Sequence, residues 1–278
     1  MLIRRVNKKI KKTLRTLFED AQWPCPRVNI KDEPHFLFII TPPYSGSTAL
    51  AKILNSSHSS TFLQKRAEGQ WLIPGMCAKD RWDPAKVMNW KSIRSVWLHR
   101  VQEIQSLVQN VDLVIEKSPG SLVRINQLID VFPNHSLMAF NRNPFANCSS
   151  ILYRTKQNNK SDEERIRALK KIAAKWLNRS RWIRKWIEEK NIVNFTYENF
   201  CAAPAECILP LIKIIPALQF VDVSKEIKVK DYKKQRLINQ NAIQIERLTQ
   251  KEIGAISEVL CTDPELVMFF GYDTEKAE

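Results

Sequence analysis

The sequence lacks the features that define several common protein classes. No apolar run approaches the roughly 20 residues that a membrane-spanning helix requires, so we expect no transmembrane segment. The six cysteines are scattered and none belongs to a Cys-x-x-Cys pair, so the sequence indicates neither a zinc site nor a disulfide framework. Internal repeats and low-complexity linkers are also absent. We therefore expect an ordinary globular protein.

The N-terminal segment lacks the marks of a secretory signal. Residues 1–18 are basic, but they contain neither an apolar core nor a small-residue cleavage site. Six Asn-x-Ser/Thr triplets occur, several of them inside predicted helices or strands, where a glycan would obstruct folding. These features predict a cytoplasmic protein. We expect residues 1–33 to form a basic lead-in and residues 34–278 to form a single α/β domain.

Acidic residues are outnumbered by basic ones. The chain has 44 Lys and Arg residues against 29 Asp and Glu residues, which gives a formal net charge of +15. Such an excess suits a nucleic acid, an anionic surface or a highly charged nucleotide, although a solvated basic surface explains it equally well. No helix-turn-helix and no aromatic-plus-basic RNA-binding motif occurs. We therefore expect no specific nucleic-acid partner.

Short apolar runs alternate with longer helical patterns along the chain. The predicted strands are residues 36–40, 61–65, 112–116, 136–141 and 192–197. The predicted helices are residues 47–56, 84–109, 121–131, 144–155, 162–190, 204–217 and 240–260. This alternation predicts an α/β fold in which helices flank a parallel β-sheet on both faces. Thr249 and Glu252 form a capping-box pattern that predicts the start of the last long helix.

Residues 41–50, TPPYSGSTAL, follow directly after the first predicted strand. Ligands bind at the carboxyl ends of the strands in an open parallel sheet, and Gly46 permits a tight turn there. Free backbone N–H groups, with the hydroxyls of Ser45, Ser47 and Thr48, predict an anion-binding loop. It is not a Walker ATP-binding loop, because the second glycine and the lysine of G-x-x-x-x-G-K-S/T are missing.

Polar side chains follow three further predicted strands. Glu68 follows the second strand, in AEGQW, where it is either a general base or an ordinary surface carboxylate. Lys117 follows the third strand, in EKSP, and places a cation near the loop that lacks one. Arg142 follows the fourth strand, and Ser150 lies about two turns into the next helix. Arg142 and Ser150 are therefore placed to bind a phosphate group between the strand end and the helix.

Together these segments resemble the sulfotransferases that use 3′-phosphoadenosine 5′-phosphosulfate (PAPS). PYSGST resembles the P-x-S-G-S/T-T loop of that family, and RNPFANCSS resembles its R-N-P…S pattern. AEGQW and EKSP resemble the segments that carry the carboxylate base and the catalytic lysine in tyrosylprotein and heparan-type members. TYENFCAAP resembles the segment whose tyrosine lies against the adenine, and the C-terminal RLTQKEIGAISEVL resembles the end of bacterial members.

The resemblance implies a P-loop-like sulfotransferase fold and the transfer of a sulfuryl group from PAPS to an acceptor hydroxyl by in-line displacement, without a metal. It assigns catalysis to Glu68 and Lys117. It assigns binding of PAPS to Tyr44, Ser45, Gly46, Ser47 and Thr48 for the phosphosulfate, Arg142 and Ser150 for the 3′-phosphate, and Tyr197 for the adenine.

Tyr44 departs from the family pattern, because many members carry Lys or Arg at its position. We expect Lys117 to supply the missing charge and basic residues at 228–236 to close over the nucleotide. Two other functions remain open: an ATP-dependent small-molecule kinase, and a non-catalytic module that binds a nucleotide or a polyanion. The acceptor is equally open among saccharides, lipids, phenols and peptides, and the sequence gives no oligomeric state.

Overall fold

The protein contains one five-stranded parallel β-sheet. The structure, a computed structural model, describes residues 33–108, 110–229 and 233–275, so nearly all of the predicted lead-in lies outside the described residues. The strands are β1 (His35–Ile40), β2 (Ser60–Thr61), β3 (Leu113–Glu116), β4 (His135–Asn141) and β5 (Val193–Thr196). Their spatial order is β2-β3-β1-β4-β5, and every pairing is parallel. The predicted α/β fold with a parallel sheet is confirmed.

The central strand β1 shows why its sequence is a continuous apolar run. Phe36 and Phe38 pack into a hydrophobic core on one face of the sheet, whereas Leu37 and Ile39 pack into a second core on the other face. Successive side chains of a strand point to opposite faces, so a strand that is covered on both faces must be apolar at every position. β1 pairs with β3 on one side and β4 on the other, which places its carboxyl end at the centre of the sheet edge.

Ten α-helices connect or cover the strands in the described part of the chain. They are α1 (Ser47–Leu54), α2 (Trp90–Gln105), α3 (Ile125–Val131), α4 (Pro144–Arg154), α5 (Asp162–Lys190), α6 (Tyr197–Ala202), α7 (Pro204–Ile214), α8 (Asn241–Ile245), α9 (Gln250–Leu260) and α10 (Pro264–Phe269). The predicted capping box at Thr249 and Glu252 is confirmed at the start of α9. Among the described helices, none is both long and apolar enough to cross a bilayer.

Several predicted elements have other bounds in the structure; the helix predicted at 121–131, for example, begins at Ile125, after a 3₁₀ turn at Pro119–Val123. The strand predicted at 61–65 is only Ser60–Thr61; the chain has already left the sheet before Arg66 and Ala67, which take left-handed backbone conformations with φ of 70° and 58°. The helix predicted from residue 84 begins at Trp90, where the Asn89 side chain accepts a hydrogen bond from the Ser92 N–H. The helix predicted at 240–260 is divided into α8 and α9.

Candidate functional site

A cavity of about 290 Å³ lies where the carboxyl ends of the strands meet. Parallel strands present this edge to ligands because their loops open outward there. Nine of the ten sequence-predicted site residues line the cavity: Tyr44, Gly46, Ser47, Thr48, Glu68, Lys117, Arg142, Ser150 and Tyr197. The structure thus brings together residues from the ends of all five strands. Among the described residues, no group of His, Cys, Asp or Glu side chains is arranged to hold a metal ion.

The loop between β1 and α1 depends on Gly46. Gly46 has a φ of 87°, in the left-handed region that residues with a Cβ rarely adopt. A Cβ at this position would lie 2.4 Å from Cδ2 of Tyr197, so the tyrosine ring occupies the space that a larger residue would need. Tyr44 also takes a positive φ, of 65°. Such conformations cost free energy and are concentrated at binding and catalytic sites.

Side chains beneath the loop hold its carbonyl groups. The Asn147 amide donates to the Pro43 carbonyl at 2.9 Å, and Nη1 of Arg142 donates to the Tyr44 carbonyl at 3.2 Å. The Ser45 hydroxyl donates to the Pro42 carbonyl at 2.9 Å and is fully buried. It therefore points into the loop, which differs from the expectation that this hydroxyl faces the anion. These three carbonyl oxygens are thus engaged in hydrogen bonds within the protein.

The start of α1 presents backbone donors to the cavity. Gly46 is the N-cap, and its carbonyl accepts from the Ala49 N–H at 2.8 Å. The N–H groups of Ser47 and Thr48 precede the first intrahelical hydrogen bond, and both residues line the cavity. The first turn contains no acidic residue that would compete for them. Backbone donors at a helix N-terminus, together with the positive end of the helix dipole, have the chemistry to bind an anion.

Glu68 and Lys117 form an ion pair at the β2 and β3 side of the cavity. The Lys117 ammonium donates to Oε1 of Glu68 at 2.8 Å, while Gln70 Nε2 and Trp71 Nε1 donate to Oε2 at 2.9 Å and 2.7 Å. Burial alone would raise the pKa of Glu68, but the charge and hydrogen bond of Lys117 and these two donors outweigh it and lower the pKa. The carboxylate is therefore ionised and fixed in orientation.

Glu116 is a buried residue that supports this ion pair from the protein interior. The sequence did not single it out. Its buried carboxylate accepts hydrogen bonds from the backbone N–H groups of Gly69 at 2.9 Å and Ser118 at 3.0 Å, and also from the Ser118 hydroxyl. The Ser118 oxygen in turn accepts from the Gln70 N–H at 3.0 Å. Glu116 thus ties the turn that carries Glu68 to the turn that carries Lys117. Burial raises its pKa to about 7.

Arg142 lies at the opposite side of the cavity, after β4. Its Nε donates to Oδ1 of Asn241 at 2.8 Å, and its guanidinium carbon lies 4.4 Å from the centre of the Tyr197 ring. The Arg142 carbonyl accepts from the buried indole N–H of Trp176 at 3.0 Å. These contacts fix the guanidinium group in one place, as a selective anion site requires.

Tyr197 connects the loop to the segment that covers the cavity. Its ring is 4% exposed, and its hydroxyl donates to the Ile238 carbonyl at 2.9 Å and accepts from the Gln240 N–H at 3.1 Å. Burial raises the pKa of this hydroxyl, so it remains neutral. Of the basic stretch expected at 228–236, Lys233 and Arg236 line the cavity, and residues 230–232 lie outside the described residues.

Seven cationic side chains line the cavity: Arg66, Arg81, Lys117, Arg142, Arg154, Lys233 and Arg236. Glu68 is the one carboxylate among the described lining residues. Such a concentration of one sign of charge in a concave site attracts a highly charged anion. Asn147 and Ser150 lie one turn apart on α4. Helical spacing could therefore have identified Asn147 as a second polar residue on the face that meets the loop.

Comparisons with known proteins agree with this geometry. The sequence profile described as the Sulfotransferase family matches residues 34–214. No curated protein matches the sequence significantly. Among solved structures, the chain is similar to a sulfotransferase from Alicyclobacillus acidocaldarius, with a TM-score of 0.51 and 13% identity over 87% of this chain and 97% of that chain.

Two further solved structures show weaker similarity. A sulfotransferase from Mycobacterium avium matches with a TM-score of 0.47 and 12% identity, over 83% of this chain and 69% of that chain. The sulfotransferase domain of the Synechococcus PCC 7002 olefin synthase matches with a TM-score of 0.39 and 16% identity, over 86% of this chain and 98% of that chain. The family profile covers well over half of the sequence, and the likeness to the Alicyclobacillus structure supports the fold. The chain belongs to the sulfotransferase family.

Proposed function

We propose that the protein transfers a sulfuryl group from PAPS to the hydroxyl group of an acceptor by in-line displacement. Family membership supports sulfuryl transfer. The observation that carries the finer proposal is the convergence, in one cavity, of the loop at 44–48, the Glu68–Lys117 pair, and Arg142 with Ser150. A donor nucleotide that is charged at both ends of its ribose matches this arrangement of cations.

The β4 side of the cavity fits the nucleotide end of PAPS. Arg142 and Ser150 would hold the 3′-phosphate, and Arg154, one turn beyond Ser150 on α4, adds a second cation there. The edge of the Tyr197 ring would form the wall beside the adenine, because the rest of the ring is covered by Gly46 and Arg142.

The centre of the cavity fits the 5′-phosphosulfate. The N–H groups at the start of α1 and the hydroxyls of Ser47 and Thr48 would hold its oxygens. Ser45 would contribute only its backbone N–H group, since its hydroxyl is engaged with Pro42. Tyr44 supplies no charge where many relatives have a cation, and Lys117 takes that role from the neighbouring strand.

Glu68 and Lys117 would carry out the catalytic work. PAPS supplies the sulfuryl group: the acceptor oxygen bonds to sulfur while the bond from sulfur to the phosphate oxygen breaks. Glu68 accepts the proton of the acceptor hydroxyl. An ammonium group has three donor hydrogens, so Lys117 can donate to the oxygen on which charge develops. When the hydrogen bond between Lys117 and Glu68 lengthens, the Glu68 carboxylate loses the cation that lowers its pKa. Glu68 then becomes a stronger base.

Calorimetric titration in the absence of magnesium tests this proposal. Adenosine 3′,5′-bisphosphate (PAP), the product of PAPS, should bind more tightly than ADP, and the Arg142→Ala variant should lose that difference. Ser150→Ala provides a milder change of the same contact if the first variant is unstable. Equal affinity for the two nucleotides, or binding of neither, would contradict the proposal. Preference for ATP with magnesium would favour a kinase, and retention on heparin that PAP does not disturb would favour a polyanion-binding module.

A further inference from the structure

The cavity divides into two halves because of the strand order. The loop after β1 lies between the residues that follow β2 and β3 and those that follow β4 and β5. The proposed nucleotide contacts, Arg142, Ser150 and Tyr197, belong to the β4 and β5 half. The β2 and β3 half begins at the Glu68–Lys117 pair, so the acceptor must reach the reacting atoms from this side.

Trp71 is an exposed aromatic side chain in the β2 and β3 half, which we call the acceptor half. It lines the cavity, is 57% exposed, and is held by the hydrogen bond from its Nε1 to Oε2 of Glu68 at 2.7 Å. A large aromatic side chain that is both exposed and fixed in orientation is suited to packing against a ring of a ligand. Its position beside the proposed base would bring the ring that bears the reacting hydroxyl close to Glu68.

Arg81 adds a cation to the same half, and its backbone and aliphatic stem are held in place. Its aliphatic stem lies against Gly120, in the turn that follows Lys117, where a Cβ would come 3.5 Å from Arg81 Cδ. The buried Arg124 side chain donates to the Arg81 carbonyl at 2.5 Å and to the Gly120 carbonyl at 3.4 Å. Arg124 thereby holds the backbone of Arg81 against the wall of the cavity.

A second arginine lies next to Arg81. The guanidinium carbons of Arg81 and Arg179 lie 5.9 Å and 4.3 Å from the centre of the Trp82 ring. Burial and the positive charge of Arg81 lower the pKa of Arg179 to about 10. Two half-buried cations that repel each other are stabilised when an anion binds between or beside them.

The total charge of the cavity also exceeds what the nucleotide requires. Seven cationic side chains and one carboxylate line it, a balance of six positive charges. A phosphate monoester and a phosphosulfate together carry about four negative charges. The surplus includes Arg66 and Arg81, both in the acceptor half.

From these observations we infer that the acceptor is itself an anion: a ring-bearing hydroxyl compound whose carboxylate, sulfate or phosphate group binds Arg81, with Arg179 behind it, while its ring packs on Trp71. This inference rests on the proposed sulfuryl transfer and specifies its acceptor. The acid group takes no part in the reaction; it positions the hydroxyl beside Glu68.

Two matched pairs of probes test the inference, each with one neutral and one acidic member. Tyrosol and p-hydroxyphenylacetate share a phenol ring, whereas methyl glucoside and methyl glucuronide share a sugar ring. Binding of each probe is measured by calorimetry on protein saturated with PAP. We expect the acidic member of at least one pair to bind about tenfold or more tightly than its neutral counterpart. The pair that shows the difference distinguishes a phenolic from a saccharide acceptor.

Three variants assign the effect to the arginines. Arg81→Gln should abolish the preference for the acidic probe, and Arg179→Gln should reduce it. Lys175→Gln, which removes an exposed cation one turn away on α5, should leave it unchanged. Each variant must retain wild-type affinity for PAP, which also shows that it is folded.

The inference would be overturned if both members of each pair bound equally, or if neither acidic probe bound. It would also be overturned if the preference for the acidic probe persisted in Arg81→Gln. Preferential binding of PAP over ADP is measured first on the wild type. If that preference is absent, the proposed function has failed. If it is present and the acidic probes show no advantage, only the inference about the acceptor has failed.

Discussion

The ammonium group of Lys117 lies 2.8 Å from a carboxylate oxygen of Glu68, although the two residues are 49 positions apart in the sequence. The Lys117 side chain is only 3% exposed, and it belongs to the turn after the strand next to β1. A buried cation therefore lines the same cavity as the loop, which carries Tyr44 in place of a cation. In the proposed mechanism, Lys117 supplies the charge that the loop itself does not carry.

Replacement of Glu68 by Gln should lower kcat about 10²–10⁴-fold, because the acceptor hydroxyl loses its proton acceptor. Affinity for PAP should change little, since Glu68 belongs to the acceptor half. The measurement is the rate of PAP release from PAPS with an acceptor that the wild type uses. Glu103→Gln is the matched control, because Glu103 forms an exposed ion pair with Arg100 on α2 and should keep full activity. Equal rates in wild type and Glu68→Gln would exclude Glu68 as the base.

Replacement of Gly46 by Ala should lower the free energy of unfolding by about 2 kcal/mol or more and weaken binding of PAP. The added methyl group would meet the Tyr197 ring at a position where φ is also 87°. Gly254→Ala is the control, because Gly254 lies inside α9 with open space around it. That change should stabilise the protein by about 0.5–1 kcal/mol. Denaturant unfolding measures both, and a neutral Gly46→Ala would contradict the described loop.

Replacement of Ser150 by Ala should weaken binding of PAP about tenfold, since a hydrogen bond to a charged phosphate is lost. Binding of ADP, which has no 3′-phosphate, should be unaffected. Calorimetric titration of both nucleotides gives the two affinities on the same protein sample. Parallel losses of both affinities would place Ser150 elsewhere in the nucleotide site.

The buried carboxyl of Glu116 should make stability depend on pH. Its pKa is raised from 4.5 to about 7, so between these values the folded protein binds more protons than the unfolded chain. The stability that this group contributes must therefore fall as pH rises from about 4.5 to about 7. In Glu116→Gln that component should disappear, and the melting temperature should vary less over this window. An unchanged pH profile in the variant would show that Glu116 is already ionised in the folded state near pH 5.

The sequence was sufficient to predict residues that line the cavity because of one physical rule: polar residues at the carboxyl ends of parallel strands meet at one edge. Glu68, Lys117 and Arg142 were found in this way. No local pattern encodes the full spatial order of the strands, although the sequence did lead us to expect Lys117 near the loop, and β3 does lie next to β1. That order follows from packing over the whole chain.

Local backbone conformation was the second feature that could not be predicted from the sequence. The left-handed turn at Arg66 and Ala67 follows β2, and nothing in either residue type predicts it, because neither is glycine. The inward orientation of the Ser45 hydroxyl likewise depends on the Pro42 carbonyl that the folded loop presents. Glu116 was not singled out because a buried carboxylate cannot be distinguished from an exposed one at the end of a predicted strand.

The most direct test of the catalytic pair is the slow hydrolysis of PAPS to PAP with water as the acceptor, since it needs no knowledge of the natural acceptor. Wild-type protein and the Lys117→Met variant are compared at saturating PAPS, after calorimetry has established that both bind PAP. The account predicts that the variant hydrolyses PAPS about 10²-fold or more slowly, because the leaving oxygen loses its charged donor. Equal hydrolysis rates, or no hydrolysis by the wild type above the buffer background, would contradict it.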